Sequence, residues 1–178
     1  MKITRCTIHI TASNPDATLE DIRAMHKARG FSDVGYHFLV DREGNILKGR
    51  PESLTGAHVA GFNSGNIGIS YISRGSDTDS NGEVGKYMTP EQYESLCRIT
   101  AIVCNKYKLG IEDIYGHNDF PKVFKACPCF KVRESDKFLE RVKEIMDELP
   151  DYVGDIPEQA MSVDGEDAEA GEAEGNAQ

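Results

Sequence analysis

The sequence predicts an α/β domain in which helices flank a mixed central β-sheet. Segments with the two-residue period of strands alternate with segments of helical periodicity, and this alternation is typical of α/β folds. The chain has 178 residues, about the length of one domain with a sizeable core. The composition changes near the end, so we predict one domain over residues 1–150 and a tail over residues 151–178.

The first half of the domain begins with a strand. Residues 3–10 alternate apolar and polar side chains, which predicts a strand with His9 near its end. Residues 19–29 repeat apolar side chains at helical spacing and predict the first helix. Residues 36–40 and 46–48, joined by a Gly-containing turn, predict a hairpin.

The second half continues the alternation. A Gly- and Asn-rich loop over residues 55–65 leads into a predicted strand at residues 67–72, and residues 74–86 predict a long exposed loop. A capping box at residues 89–92, with Pro at the first helical position, predicts a long helix that ends at Gly110.

The last part of the domain contains a short strand and a helix. Residues 111–115 predict a strand that ends close to His117, and an irregular segment follows up to Cys129. An amphipathic pattern over residues 138–149 then predicts a final helix, which Pro150 stops.

The formal charge of −10 is concentrated in the tail. Residues 151–178 hold nine of the 30 acidic residues and no Lys or Arg, which leaves 21 acids against 20 bases in the body. A nearly neutral body without a basic cluster is unlike a nucleic-acid-binding domain, so we expect no nucleic-acid partner. The tail has few large apolar residues and is predicted to be disordered.

The N-terminus and the cysteines bear on location. The first residues contain no apolar run of the signal-peptide type, and no stretch is long enough to span a membrane. We therefore expect a protein that is made in the cytoplasm without a signal peptide and has no membrane partner. We also expect it to be a monomer. The five cysteines are an odd number, which argues against a disulfide framework and favours a ligand or nucleophile role for any special cysteine.

Three residues at the ends of predicted elements form a candidate metal site. His9 and His117 follow strands, and Cys127 lies in a loop ten residues after His117. Two imidazoles and one thiolate suit zinc, and three protein ligands with an open fourth position are typical of a catalytic site. Cys129 is a poor fourth ligand because Cys-Pro-Cys is a cramped pair. Spacing alone leaves open that these are ordinary surface residues.

Several short segments, in order, resemble the type-2 N-acetylmuramoyl-L-alanine amidases. This superfamily contains the amidase-type phage lysozymes and the peptidoglycan recognition proteins, and the resemblance covers roughly residues 3–145. The matching segments are Ile8-His9-Ile10-Thr11-Ala12-Ser13, Asp33-Val34-Gly35-Tyr36-His37-Phe38, Gly49-Arg50, Gly56-Ala57-His58, Asn66-Ile67-Gly68, His117 and Lys125-Ala126-Cys127-Pro128.

The resemblance implies a function and a set of roles. It implies that His9, His117 and Cys127 hold Zn²⁺ in a surface cleft of a peptidoglycan recognition protein-like fold. It further implies that Tyr36 and Lys125 take part in hydrolysis, and that the bond cut joins N-acetylmuramic acid to the L-alanine of peptidoglycan. The expected activity is cell-wall degradation of the endolysin type.

Two further residues are candidates for substrate binding. His58 lies in the Gly-rich loop, and Asn66 follows that loop directly. Because loops carry many binding residues, we expect both to line the glycan or peptide groove.

Two other functions remain open at this point. The first is a peptidoglycan-binding module without catalysis, although such relatives typically lack the cysteine ligand that is present here as Cys127. The second is a cell-wall peptidase with Cys127 as a thiolate nucleophile beside His117. The absence of a signal peptide favours an endolysin released through a pore, ahead of an exported protein or a cytosolic recycling enzyme.

Overall fold

The computed structural model describes residues 1–149, so the predicted disordered tail lies outside the described residues. The described part contains a five-stranded sheet, three α-helices and three short 3-10 turns. The strands are β1 (Arg5–Ile10), β2 (Phe38–Val40), β3 (Ile46–Lys48), β4 (Asn66–Tyr71) and β5 (Ile114–Gly116). The α-helices are α1 (Leu19–Ala28), α2 (Pro90–Tyr107) and α3 (Asp136–Glu148), and the 3-10 turns are Ile111–Asp113, His117–Asp119 and Val132–Glu134.

The sheet is mixed, with the strand order β3-β2-β4-β1-β5. Strand β1 pairs in parallel with β4 and β5, β2 pairs in parallel with β4, and β3 is antiparallel to β2. The predicted fold class is therefore confirmed. Because four strands run in the same direction, their carboxyl ends meet at one edge, where open α/β sheets place their binding sites.

The two faces of the sheet have different partners. Cys6, Ile8 and Ile10 of β1 belong to the larger core, which also contains the buried residues of α2 and α3. His9 lies on the other face, because its register partner Ser70 is in turn aligned with Leu39, a member of the smaller core beside α1. The alternation within β1 thus directs His9 away from the main core.

Helices α1 and α2 begin at the residues that the sequence indicated, whereas α3 begins at Asp136, two residues earlier than predicted. The Thr18 side chain accepts a hydrogen bond from the Asp21 N–H at the start of α1, and Thr89 does the same for Gln92 at the start of α2. The end of α2 differs from the prediction. The helix stops at Tyr107 because Lys108 adopts a left-handed conformation with φ of 56°, so Gly110 is not its last-turn residue.

Strand β1 begins at Arg5, two residues later than predicted, and two further strands also begin later than expected. Residues 111–113 form a 3-10 turn, because the Asp113 carboxylate accepts the Gly110 N–H at 3.0 Å and closes the chain into a turn. Strand β2 begins at Phe38, so Tyr36 lies just before it. The carbonyl of Tyr36 still accepts the Arg50 N–H at 2.8 Å, which ties this residue to the end of the hairpin.

Candidate metal centre

The structure brings His9, His117 and Cys127 together. One ligand atom from each residue lies within 4.8 Å of the others. Cys127 Sγ lies 3.6 Å from His9 Nδ1, and the two imidazole rings have centroids 4.6 Å apart. Residues that are far apart in sequence therefore form one compact group of nitrogen and sulfur donors.

Strand pairing places the two histidines. His9 lies near the carboxyl end of β1, between the neighbouring strands β4 and β5. His117 is the first residue of the 3-10 turn that follows β5. That turn is held by Asp119, whose carboxylate accepts the Gly116 N–H at 2.6 Å. Parallel pairing of β1 and β5 thus aligns the two imidazoles at the same edge of the sheet.

Hydrogen bonds anchor the loop that carries Cys127. Its sulfur accepts the Ile10 N–H at 3.3 Å, which ties the loop to the end of β1. The next residue, Pro128, follows a cis peptide bond, and its carbonyl accepts the Tyr71 hydroxyl at 2.6 Å. The loop is therefore hydrogen-bonded to the ends of β1 and β4, and these bonds hold the thiol next to His9 and His117.

A cleft of about 350 Å³ opens beside this group. His117 and Cys127 line it, together with Tyr36 and Lys125, the two residues predicted to take part in hydrolysis. Several other lining residues were not predicted from the sequence; one of them, Arg29, directly follows the last residue of α1. The additional lining residues are Ile10, Thr11, Ala12, Arg29, Ser76, Asp77, Phe124 and Ala126.

Burial sets the protonation of the three donors. It lowers the pKa of His9, and it lowers that of His117 to about 4, with the positive charge of Lys125 acting in the same direction on both. Burial raises the pKa of the Cys127 thiol to about 12, against the opposing effect of the Ile10 N–H. Both imidazoles are therefore neutral near pH 7, with lone pairs available for a cation. A bound metal would displace the thiol proton.

Tyr36 and Lys125 lie on the same cleft but differ in burial. The ring centroid of Tyr36 lies 5.1 Å from that of His9, and burial raises the pKa of its phenol. The hydroxyl thus stays protonated and can donate. Lys125 is exposed on the cleft wall. Its positive charge there helps to lower the pKa of both His9 and His117.

His58 and Asn66, the two predicted substrate-binding residues, do not line the cleft. Asn66 is fully buried; its side chain accepts from the Thr7 hydroxyl at 2.9 Å and donates to the Phe62 carbonyl at 3.0 Å. His58 is also buried, and its ring nitrogens lie 3.0 Å from His9 Nε2 and 3.2 Å from the Asn66 carbonyl oxygen. We therefore assign neither residue a substrate contact.

The donor set fits zinc. Two neutral imidazoles and one cysteine sulfur are borderline and soft ligands of the kind that zinc prefers, and a set of three leaves a coordination position open. His117 and Cys127 border the cleft, so a metal held by this group would be accessible to a substrate. The fold and this cluster define a class: an α/β domain with a three-residue His/His/Cys group suited to a metal ion at the carboxyl edge of its sheet.

Comparison with known proteins identifies the family within that class. A family model described as N-acetylmuramoyl-L-alanine amidase matches residues 1–130. The endolysin of Enterobacteria phage K11 is 34% identical over 132 residues, covering 74% of this chain and 83% of the relative. The chain therefore belongs to the N-acetylmuramoyl-L-alanine amidase family, and it is an amidase that acts on the cell wall.

Solved structures agree with this assignment. The N-acetylmuramoyl-L-alanine amidase LysC from Clostridium intestinale URNW superposes with a TM-score of 0.64 at 28% identity, over 83% of this chain and 87% of that chain. Drosophila peptidoglycan recognition protein SD shares the fold, with a TM-score of 0.58 at 20% identity, over 74% of this chain and 78% of that one. Within residues 1–149, no helix has the length and apolar character needed to cross a bilayer.

Proposed function

We propose that the protein is a zinc-dependent amidase that cuts peptidoglycan between the lactyl group of N-acetylmuramic acid and the L-alanine of the stem peptide. The observation that carries this proposal is the convergence of His9, His117 and Cys127, whose donor atoms lie within 4.8 Å of one another. The similarity to a phage endolysin and to a clostridial amidase supports the substrate class. The protein would act on the wall after release or export from the cytoplasm.

In this proposal His9, His117 and Cys127 hold the zinc ion. When bound, zinc supplies Lewis-acid polarisation of the substrate carbonyl and lowers the pKa of water at the site. The Ile10 N–H, 3.3 Å from Cys127 Sγ, stabilises the negative sulfur that metal binding requires. The cleft beside the cluster receives the scissile amide.

Tyr36 and Lys125 would act on the charge that develops during hydrolysis. The amide oxygen becomes negative in the tetrahedral transition state, and donors placed in advance at that position lower the barrier. The phenol of Tyr36 remains a donor because burial raises its pKa. The ammonium of Lys125 adds a positive charge on the cleft wall.

Tyr36→Phe tests the first of these two roles. Loss of the hydroxyl should lower kcat by about a hundredfold, the effect of removing one such donor, while the zinc content stays unchanged. Steady-state kinetics on a soluble muropeptide, with metal analysis of the same sample, measures both quantities. Tyr115→Phe is the matched control, because this half-buried tyrosine lies outside the cleft lining. Wild-type kcat in Tyr36→Phe would exclude a catalytic hydroxyl.

Mass analysis of the products from purified sacculi tests the proposed reaction. We expect free stem peptides that begin with L-alanine and glycan strands that keep the lactyl group. A chelator should abolish their release, and added zinc should restore it, with a stoichiometry of about one zinc per chain. Activity that survives chelation would point instead to Cys127 as a nucleophile. Binding to sacculi without any cleavage would point to a binding module.

A further inference from the structure

The imidazole of His58 lies next to the proposed zinc ligand His9, on the side of the ring opposite Cys127. His9 Nε2 lies 3.0 Å from His58 Nδ1, and the two rings meet edge to face with centroids 5.0 Å apart. The other nitrogen of His9, Nδ1, is the atom that lies 3.6 Å from Cys127 Sγ. His9 therefore faces the metal-binding group with one nitrogen and His58 with the other.

The partners of His58 determine which nitrogens carry protons. His58 Nε2 lies 3.2 Å from the backbone carbonyl oxygen of Asn66, which can only accept, so Nε2 carries the hydrogen. The ring is buried, and burial favours its neutral form. His58 Nδ1 is then an acceptor, and His9 Nε2 must donate to it. Consequently His9 keeps its lone pair on Nδ1, the nitrogen on the side of Cys127.

Two glycines, Gly56 and Gly68, leave the space that the His58 ring occupies. A Cβ atom at Gly56 would lie 2.5 Å from His58 Cδ2, and one at Gly68 would lie 2.6 Å from the same atom. Both positions thus need glycine while the ring occupies this place. The backbone N–H of His58 donates to the Asn63 side chain at 2.9 Å, which fixes the loop that carries it.

We propose that His58 is a positioning residue that holds His9 in the tautomer and orientation in which Nδ1 faces the metal. The chain of hydrogen bonds runs from His9 Nε2 to His58 Nδ1 and from His58 Nε2 to the Asn66 carbonyl. The inference rests on the proposed role of His9 as a zinc ligand. His58 itself touches neither the metal nor the substrate, and it acts through His9 alone.

Zinc affinity in three variants tests this role. His58→Leu removes the acceptor, and we expect the zinc dissociation constant to rise by about 10–100-fold, as for other partners of metal-bound histidines. His58→Asn places its Oδ1 near the position of the ring Nδ1, so it should recover most of the affinity. His26→Leu is the matched control: His26 is also buried and accepts the Gly35 N–H at 2.8 Å, but its ring contacts Phe31 and Tyr36 rather than His9. Its zinc affinity should stay at the wild-type value.

Chelator competition on the zinc-loaded proteins gives the affinities, and ¹H–¹⁵N NMR of the imidazoles gives the tautomer. In the wild type and His58→Asn, His9 should show a proton on Nε2 that exchanges slowly and a metal-bound Nδ1. In His58→Leu this proton should exchange faster. Three results would overturn this inference and leave the proposed function intact. They are wild-type affinity in a folded His58→Leu protein, an affinity loss that His58→Asn fails to restore, and metal bound through Nε2 of His9. A wild-type protein that binds no zinc would overturn the proposed function as well.

Discussion

Cys127→Ala is expected to lose both bound zinc and amide hydrolysis. The substitution removes one of the three donors in the cluster, and two imidazoles alone hold zinc far more weakly than a site with a thiolate. Activity should fall by about a thousandfold or more, because water and the substrate carbonyl are no longer activated by the metal. Metal analysis of the purified protein and product release from sacculi measure the two effects separately.

Cys129→Ala is the matched control for this prediction. Cys129 is buried and lies two residues away, but its sulfur accepts the Ser76 N–H at 3.4 Å and lies 3.3 Å from the Ser76 carbonyl oxygen. This variant should keep its zinc and its activity. Cys127→Asp separates a ligand from a nucleophile, because a carboxylate also binds zinc and should restore part of the activity. Full zinc content in Cys127→Ala would contradict the assignment of this cysteine as a ligand.

Lys125→Ala should lower kcat by about 10²–10³-fold while zinc remains bound. The ammonium group lies on the cleft wall beside His117 and Cys127, where it would stabilise the negative charge of the transition state. A loss of this size is what removal of one electrostatic donor typically costs. The zinc ligands are unchanged, so metal content should equal that of the wild type. Single-turnover kinetics on a soluble muropeptide isolates the chemical step.

A neighbouring lysine serves as the control for charge. Lys122 is exposed on the same segment but does not line the cleft, so Lys122→Ala should keep the wild-type kcat. Lys125→Arg should recover part of the rate, since it keeps the positive charge with a different donor geometry. Full hydrolysis by Lys125→Ala with zinc still bound would show that this lysine has no part in the reaction.

Local sequence signals predicted most of the fold. The alternation in β1 placed Ile8 and Ile10 on the core face and His9 on the opposite face, as observed. The Thr89 and Gln92 capping box predicted the start of α2. These features depend on residues within a few positions of one another, so the sequence alone contains the information. The errors at Gly110 and at residues 111–113 concern ends of elements, where one side-chain hydrogen bond or one left-handed residue decides the outcome.

The sequence by itself determined the kinds of donor available and, through ordered motifs, the family. The tertiary structure alone decided which atoms meet. His9 and Cys127 become neighbours only through the pairing of β1 with β4 and β5 and the anchoring of the late loop to Ile10. For the same reason His58, predicted to bind substrate, lies behind His9 instead of in the cleft. Contacts between residues distant in sequence depend on how the whole sheet assembles, and no local pattern encodes that assembly.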